Sequence, residues 1–162
     1  IREYVAAARE VRRTHPEARF VLVGMPDPNP TAIPASELEA WRREGVVEVH
    51  GETDDVRPYL RASHVYVLPS YREGTPRTVL EAMATGRAIV TTDAPGCRET
   101  VEPGRNGLLV PVGDAKAGGD AMRSFLDAPG RIAAMGAESL ALARSKYDVR
   151  MVNAAVLDHL GL

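Results

Sequence analysis

Apolar residues recur at helical spacing from the start of the chain, where Ile1, Tyr4, Val5, Ala8 and Val11 share one face. The short apolar run ARFVLVG follows and ends at Gly24, so a helix is succeeded by a buried strand. The proline-rich MPDPNPTAIP keeps neither period and is predicted as a loop. Ser36 to Glu44 then reads as helix, and the β-branched VVEVH at Val46 to His50 as strand. The same unit returns: Asp54 or Asp55 caps a short helix through Leu60, HVYVLPS is strand then turn, Pro76 to Thr85 helix, and AIVTTD strand. EPGRNG turns the chain into a last apolar run, LLVPV. Beyond Gly113 the pattern is helical throughout. Three amphipathic segments are marked by Met122, Phe125 and Leu126, by Ile132 and Met135, and by Val149, Val152, Val156 and Leu160. Gly118 and Gly119 weaken the first of them by about 1 kcal/mol each relative to alanine.

Continuously apolar strands separated by helices predict a parallel sheet covered on both faces, because right-handed crossovers place the helices there. The expected fold is a doubly wound α/β domain occupying residues 1–162 as one unit. The chain opens at Ile1, without a methionine and already inside a helical pattern, so an upstream segment is expected, including the first strand. Ligands of such domains bind beyond the carboxyl ends of the strands. The strand at Val65 to Leu68 delivers PSYREGTP to that edge, which makes this stretch the first place to look for chemistry.

Composition narrows the classes. With 162 residues, 44% of them hydrophobic, the chain has enough apolar side chains for a single core. A net charge of -2 and only 5% aromatic residues argue against a polynucleotide partner, which needs basic excess to neutralise phosphates. The one cysteine, Cys97, forms no internal disulfide, and His15, His50, His64 and His159 lack metal-ligand spacing; a reduced, cytoplasmic setting and no bound metal are expected. No apolar run approaches the ~20 residues of a membrane span.

The segment LPSYREGTPRTVLEAMATG carries the chemistry. Pro76 suits a first helical position, Thr75 an N-cap, and Gly86 a terminating residue with positive φ, so a helix runs from about Pro76 to Thr85. Its free amides, with those of Gly74 and Thr75, make a pocket of donors at the positive end of the helix dipole, suited to phosphate. Gly74 has no side chain to hold such an anion away from the backbone, and Arg72 and Arg77 add positive charge. Glu73 and Glu81 do not fit a phosphate, since each repels it. A carboxylate accepts hydrogen bonds from both hydroxyls of a vicinal diol, and a phosphate bracketed by two diol readers describes a nucleoside diphosphate sugar. The alternative is structural: Glu81 pairs with Arg77 four residues earlier on the helix, and Glu73 accepts a loop amide.

EGTPRTVLEAMATG resembles the E-x7-E signature of the retaining glycosyltransferases of family 4, with LPS before it and AIVTTDAPGCRETVEPGRNGLLVPVGD after it; the similarity extends over essentially the whole chain. The resemblance implies the C-terminal, donor-binding half of a GT-B enzyme, a Rossmann-like domain whose N-terminal acceptor partner is absent from this chain. It places the catalytic role at Glu73, beside the donor sugar. The donor site would comprise Gly74, Thr75, Pro76, Arg77 and Thr78 at the diphosphate, Glu81 at the ribose diol, and Gly51 of VEVHGETDD near the base. It implies no metal and no cofactor beyond the donor itself, and the adjacent Asp54 and Asp55 fit a helix cap better than a metal site. GTPR stands where many relatives have Gly-Phe-Gly, which resembles the subgroup that builds bacterial surface glycans and points to a UDP-linked, N-acetylated sugar. The acceptor would be a glycan or a lipid-linked glycan, reached through the N-terminal domain, with peripheral membrane association of the full-length enzyme. Two phosphate-binding cations common in the family lie upstream of this chain, so it is expected to bind donor weakly and not to transfer sugar alone. A sugar-nucleotide epimerase of GT-B shape and a non-catalytic nucleotide-sugar-binding domain are the competing readings. A nicotinamide-binding domain would need a G-x-G-x-x-G turn that is not present.

Overall fold

The computed structural model describes residues 1–24, 29 and 32–160. Seven helices and five strands are found among them: α1 (Arg2–Thr14), β1 (Val21–Val23), α2 (Ala35–Glu44), β2 (Glu48–His50), α3 (Arg57–Ala62), β3 (Val65–Leu68), α4 (Arg77–Ala84), β4 (Ala88–Thr92), β5 (Gly107–Val110), α5 (Ala115–Asp127), α6 (Gly130–Lys146) and α7 (Val149–Leu160). The predicted alternation is therefore present element by element. The proline-rich loop expected between β1 and α2 falls largely outside the described residues.

All strand pairs are parallel, as the helical crossovers require. They form two sheets, β1–β2 and β3–β4–β5, in place of the single sheet that the alternation predicts. Burial follows the pairing. All five residues of β4 are buried because it has a strand on each side and helices on both faces, whereas β1, β2 and β3 are half-buried. The period of two sends Tyr66, Leu68, Ile89 and Leu109 to one face, where they pack with Leu60 of α3, Val79 and Met83 of α4, and Leu142 of α6. Val65, Val67, Val90, Leu108 and Val110 go to the other face, against Phe125 of α5. This is the doubly wound arrangement.

Against β1 and β2, the buried stripe Val5, Ala8 and Val11 of α1 packs with Phe20, Trp41 and Val47. Tyr4 completes the contact: its hydroxyl donates to the Val21 carbonyl at 3.3 Å, and burial pushes the phenol up to about 12. Strand β2 begins at Glu48 and not at Val46, because Val46 and Val47 are spent as core residues before the ladder starts at Val21 and Glu48. The polar faces of α1 and α2 are tied by two bidentate pairs, Arg2 with Glu37 and Arg9 with Glu44.

Candidate functional site

The site segment leaves β3 at Leu68 and enters α4 at Arg77. Its position is set by its neighbours at the carboxyl edge. Thr91 Oγ1 donates to the Leu68 carbonyl at 2.8 Å, and Thr92 Oγ1 to the Ser70 carbonyl. The Glu73 amide donates to the Pro95 carbonyl at 3.0 Å. Gly96, at φ +84, lies directly beneath: a Cβ built there would sit 1.9 Å from the Gly74 carbonyl oxygen and 2.3 Å from that of Glu73. Only a residue without a side chain permits this approach. On the outer side the Tyr71 hydroxyl donates to Glu3 Oε1 of α1 at 2.6 Å. That bond holds the Glu3 carboxyl below its ordinary value and raises the Tyr71 phenol.

The start of α4 differs by one residue from expectation. Pro76, with φ -69 and ψ 105, is the N-cap, and α4 begins at Arg77. Thr75 is therefore not the cap, and Pro76 is not the first helical residue. A residue preceding proline is pushed toward extended backbone, which carries Thr75 outside the helix and leaves its side chain without a capping bond. The Pro76 carbonyl accepts from Val79 at 3.0 Å and Leu80 at 3.3 Å. Among the described residues, the amides of Gly74, Thr75, Arg77 and Thr78 have no backbone acceptor. These donors lie within five successive residues at the positive end of α4, where free amides and the helix dipole favour an anion. Arg72 and Arg77 flank it, both exposed and neither in an ion pair among the described residues. At the far end, Gly86 takes φ +70 as predicted for a helix stop.

The two carboxylates depart from the structural alternative. Glu73 is half-buried, and its Oε1 accepts from the Ser70 hydroxyl at 2.5 Å instead of from a loop amide. Glu81 is half-buried on α4, one turn beyond the seat, and forms no ion pair with Arg77 and no side-chain hydrogen bond among the described residues. Both act on one group. Burial pushes the Tyr66 phenol up, the Thr78 hydroxyl opposes this, and the charges of Glu81 and Glu73 add to the rise. Glu73, Gly74, Thr75, Pro76, Arg77, Thr78 and Glu81 are brought together as the sequence predicts. Gly51 is separate: it is exposed just past β2, after His50, whose ring lies edge-on to Tyr59 of α3 at 5.0 Å. The Asp55 carboxylate accepts the Arg57 amide at 2.9 Å, so the capping contact expected of Asp54 or Asp55 belongs to Asp55, although Val56 is the formal N-cap.

Ser70, Tyr66, Thr92 and Gly96 escape a reading of the sequence. The proline-glycine step at Pro95 and Gly96 signals a turn, but nothing local reports that the turn lies under Glu73.

The structure is a doubly wound α/β domain in which the segment leaving β3 holds four main-chain amides without a backbone acceptor among the described residues, with Glu73 before them and Glu81 after them in sequence. The chain belongs to the glycosyl transferases group 1 family, which it matches over residues 1–128. It is 40% identical over 100 residues to the N,N'-diacetylbacillosaminyl-diphospho-undecaprenol alpha-1,3-N-acetylgalactosaminyltransferase of Campylobacter jejuni, covering 62% of this chain and 26% of that enzyme. The chain thus spans about a quarter of that relative's length. Among solved structures, sucrose-phosphate synthase from Thermosynechococcus elongatus superposes with a TM-score of 0.82 at 26% identity, over 98% of this chain and 41% of its own. The C-terminal domain of a glycosyl transferase group 1 protein from Francisella tularensis superposes with a TM-score of 0.77 at 21% identity, over 91% of this chain and 78% of that domain. Anabaena HepE, solved in complex with UDP, gives a TM-score of 0.75 at 19% identity over 96% of this chain and 52% of its own. The fold is therefore that of the C-terminal Rossmann-like half of GT-B proteins.

Proposed function

We propose that this chain is the donor-binding domain of a retaining glycosyltransferase that uses a nucleoside diphosphate sugar, with UDP as the favoured nucleotide, in the synthesis of a bacterial surface glycan. The observation that carries the reading is the half-buried Glu81, which has no ion-pair or hydrogen-bonding partner among the described residues and stands one turn beyond a row of main-chain donors without backbone acceptors. A carboxylate in that position gains most from a ligand that brings hydroxyls to it and an anion to the amides. The row of amides and the helix dipole would take the diphosphate, Glu81 the ribose diol, and Glu73 a hydroxyl of the transferred sugar, with Gly51 near the base. Chemistry then rests on stabilising the departing diphosphate and on positioning an acceptor oxygen on the same face of the sugar. The reading invokes no metal ion.

The name of the Campylobacter relative supports a lipid-linked acceptor and an N-acetylated sugar, both of which fit the GTPR variant of the motif. The separation of β1–β2 from β3–β4–β5 supports a further strand between them. The lipid-linked acceptor is the reason to place the full-length enzyme at the cytoplasmic membrane surface. Among the described residues no helix is long and apolar enough to cross a membrane.

Glutamate substitutions in the full-length enzyme test the reading. Glu81→Gln is expected to weaken UDP and UDP-sugar alike by about 1–2 kcal/mol, because the nucleoside is common to both. Glu73→Gln is expected to leave UDP affinity unchanged and to lower kcat about tenfold or more, as for a contact that strengthens in the transition state. Calorimetric titration with UDP and with NADH, alongside initial-rate kinetics, measures both. Equal binding of NADH and UDP, or normal turnover by Glu73→Gln, would remove the proposal.

A further inference from the structure

Ser70 stands out among the serine and threonine hydroxyls of the molecule. Thr14, Thr53, Ser63, Thr85, Thr91, Thr92, Thr100, Ser124, Ser139 and Ser145 all donate to main-chain carbonyls, the usual local use of these side chains. Among the serines and threonines of the described residues, Ser70 is the only one that donates to a carboxylate, and that carboxylate is Glu73. A hydroxyl has a single proton to give, so the whole donor capacity of Ser70 is committed to Glu73 Oε1. The serine itself is fixed: it follows Pro69 at the end of β3, and its carbonyl accepts from Thr92 Oγ1 of the fully buried β4. Glu73 is fixed on the main-chain side through its amide bond to Pro95. Its side chain, by contrast, has one tether, and its Oε2 has no protein partner among the described residues. A glutamate held at one oxygen and free at the other is confined to a narrow set of rotamers while keeping lone pairs for one incoming hydroxyl.

We propose that Ser70 is the positioning residue of the site: its hydroxyl orients the Glu73 carboxylate so that one oxygen alone meets the sugar. The proposal rests on the assignment of Glu73 to the donor sugar. Ser70 acts through Glu73 and touches neither nucleotide nor diphosphate, so its removal changes rate and leaves nucleotide affinity alone.

The test is a double-mutant cycle in the full-length enzyme, with kcat, donor KM, UDP affinity and melting temperature measured for Ser70→Ala, Ser70→Thr, Glu73→Gln and Ser70→Ala/Glu73→Gln. Ser70→Ala is expected to lower kcat about tenfold, the scale of one hydrogen bond to a charged group, with UDP affinity unchanged. Ser70→Thr, which keeps the hydroxyl, is expected to restore most of the rate. In the Glu73→Gln background Ser70→Ala is expected to cost nothing further, because the group it positions is gone. Additive losses in the double mutant overturn the proposal, as does wild-type turnover by Ser70→Ala when Glu73→Gln is impaired; both outcomes leave the donor-site assignment standing. Wild-type turnover by Glu73→Gln overturns the assignment itself. If Ser70→Ala melts below the assay temperature, the cycle is run with Ser70→Cys, whose thiol preserves the volume but donates only weakly. Wild-type turnover by that variant overturns the proposal.

Discussion

At the scale of single residues, the main chain of Glu73 is placed by groups far from it in sequence. Gly96 shows how tightly. Its φ of +84 and the 1.9 Å that would separate an added Cβ from the Gly74 carbonyl oxygen mean that Gly96→Ala must move the backbone of either loop. Strain of this kind costs about 1–3 kcal/mol. The moved atoms include the amide row, so Gly96→Ala is expected to lose UDP binding along with stability, as read by urea unfolding and titration; unchanged affinity would show that the loop 69–76 is held by other contacts. Tyr66 illustrates the converse. Its burial is evident from a strand pattern, but the charges of Glu73 and Glu81 reach it only once α4 is laid against β3.

At the scale of elements, the caps and stops of α4 follow from local chemistry, and so does the shift of its start by one residue. Proline fixed the boundary twice over, by ending the extended stretch and by lacking the N-H that a first-turn residue has to spare. The glycines of α5 present a different case. A Cβ at Gly118 would meet only the Ala7 methyl at 3.9 Å, and one at Gly119 the Ala7 carbonyl oxygen at 3.6 Å, both ordinary contacts. The helix therefore carries the propensity cost of two glycines without a steric need for the first. Gly118→Ala is expected to stabilise the domain by about 0.5–1 kcal/mol and to raise Tm by about 1–4 °C, measured by calorimetry. A fall in Tm would mean that α1 and α5 pack more closely than these distances indicate.

At the scale of the molecule, exposed ion pairs add to the core contact between α1 and α2 and brace local turns. Arg2, Arg9 and Arg19 hold Glu37, Glu44 and Glu48 below the ordinary carboxylate value through direct hydrogen bonds, as Arg57 does Asp55 and Lys116 does Asp120; Arg150 lowers Asp148 to about 2. The Tyr71 hydroxyl does the same for Glu3. A carboxylate whose folded pKa is depressed contributes stability above its unfolded value and loses it as pH falls through the folded one. All these shifts have one sign. Tm is therefore expected to fall progressively as pH is lowered from about 5 to about 2, and to fall less steeply at high salt, where exposed pairs already contribute little. Calorimetry across that range checks it, and a flat profile would show that these pairs do not hold in solution.

The order of helices and strands, the parallel sheet, the stop at Gly86 and the contiguous half of the candidate site were legible in the sequence, because apolar period, turn chemistry and helix ends are set within a few residues. The division of the strands into two sheets was not, since pairing depends on which edges meet after the crossovers are made. Nor was the support of Glu73. Ser70 lies three residues away, but its hydroxyl had a main-chain carbonyl as its expected partner, and Thr92, Pro95 and Gly96 reach the loop only because parallel β3 and β4 end side by side. A short-range pattern determines which groups a loop offers. Tertiary packing decides which of those groups are spent on the protein and which, like the Glu81 carboxylate and the amides at the start of α4, keep no hydrogen-bond partner among the described residues.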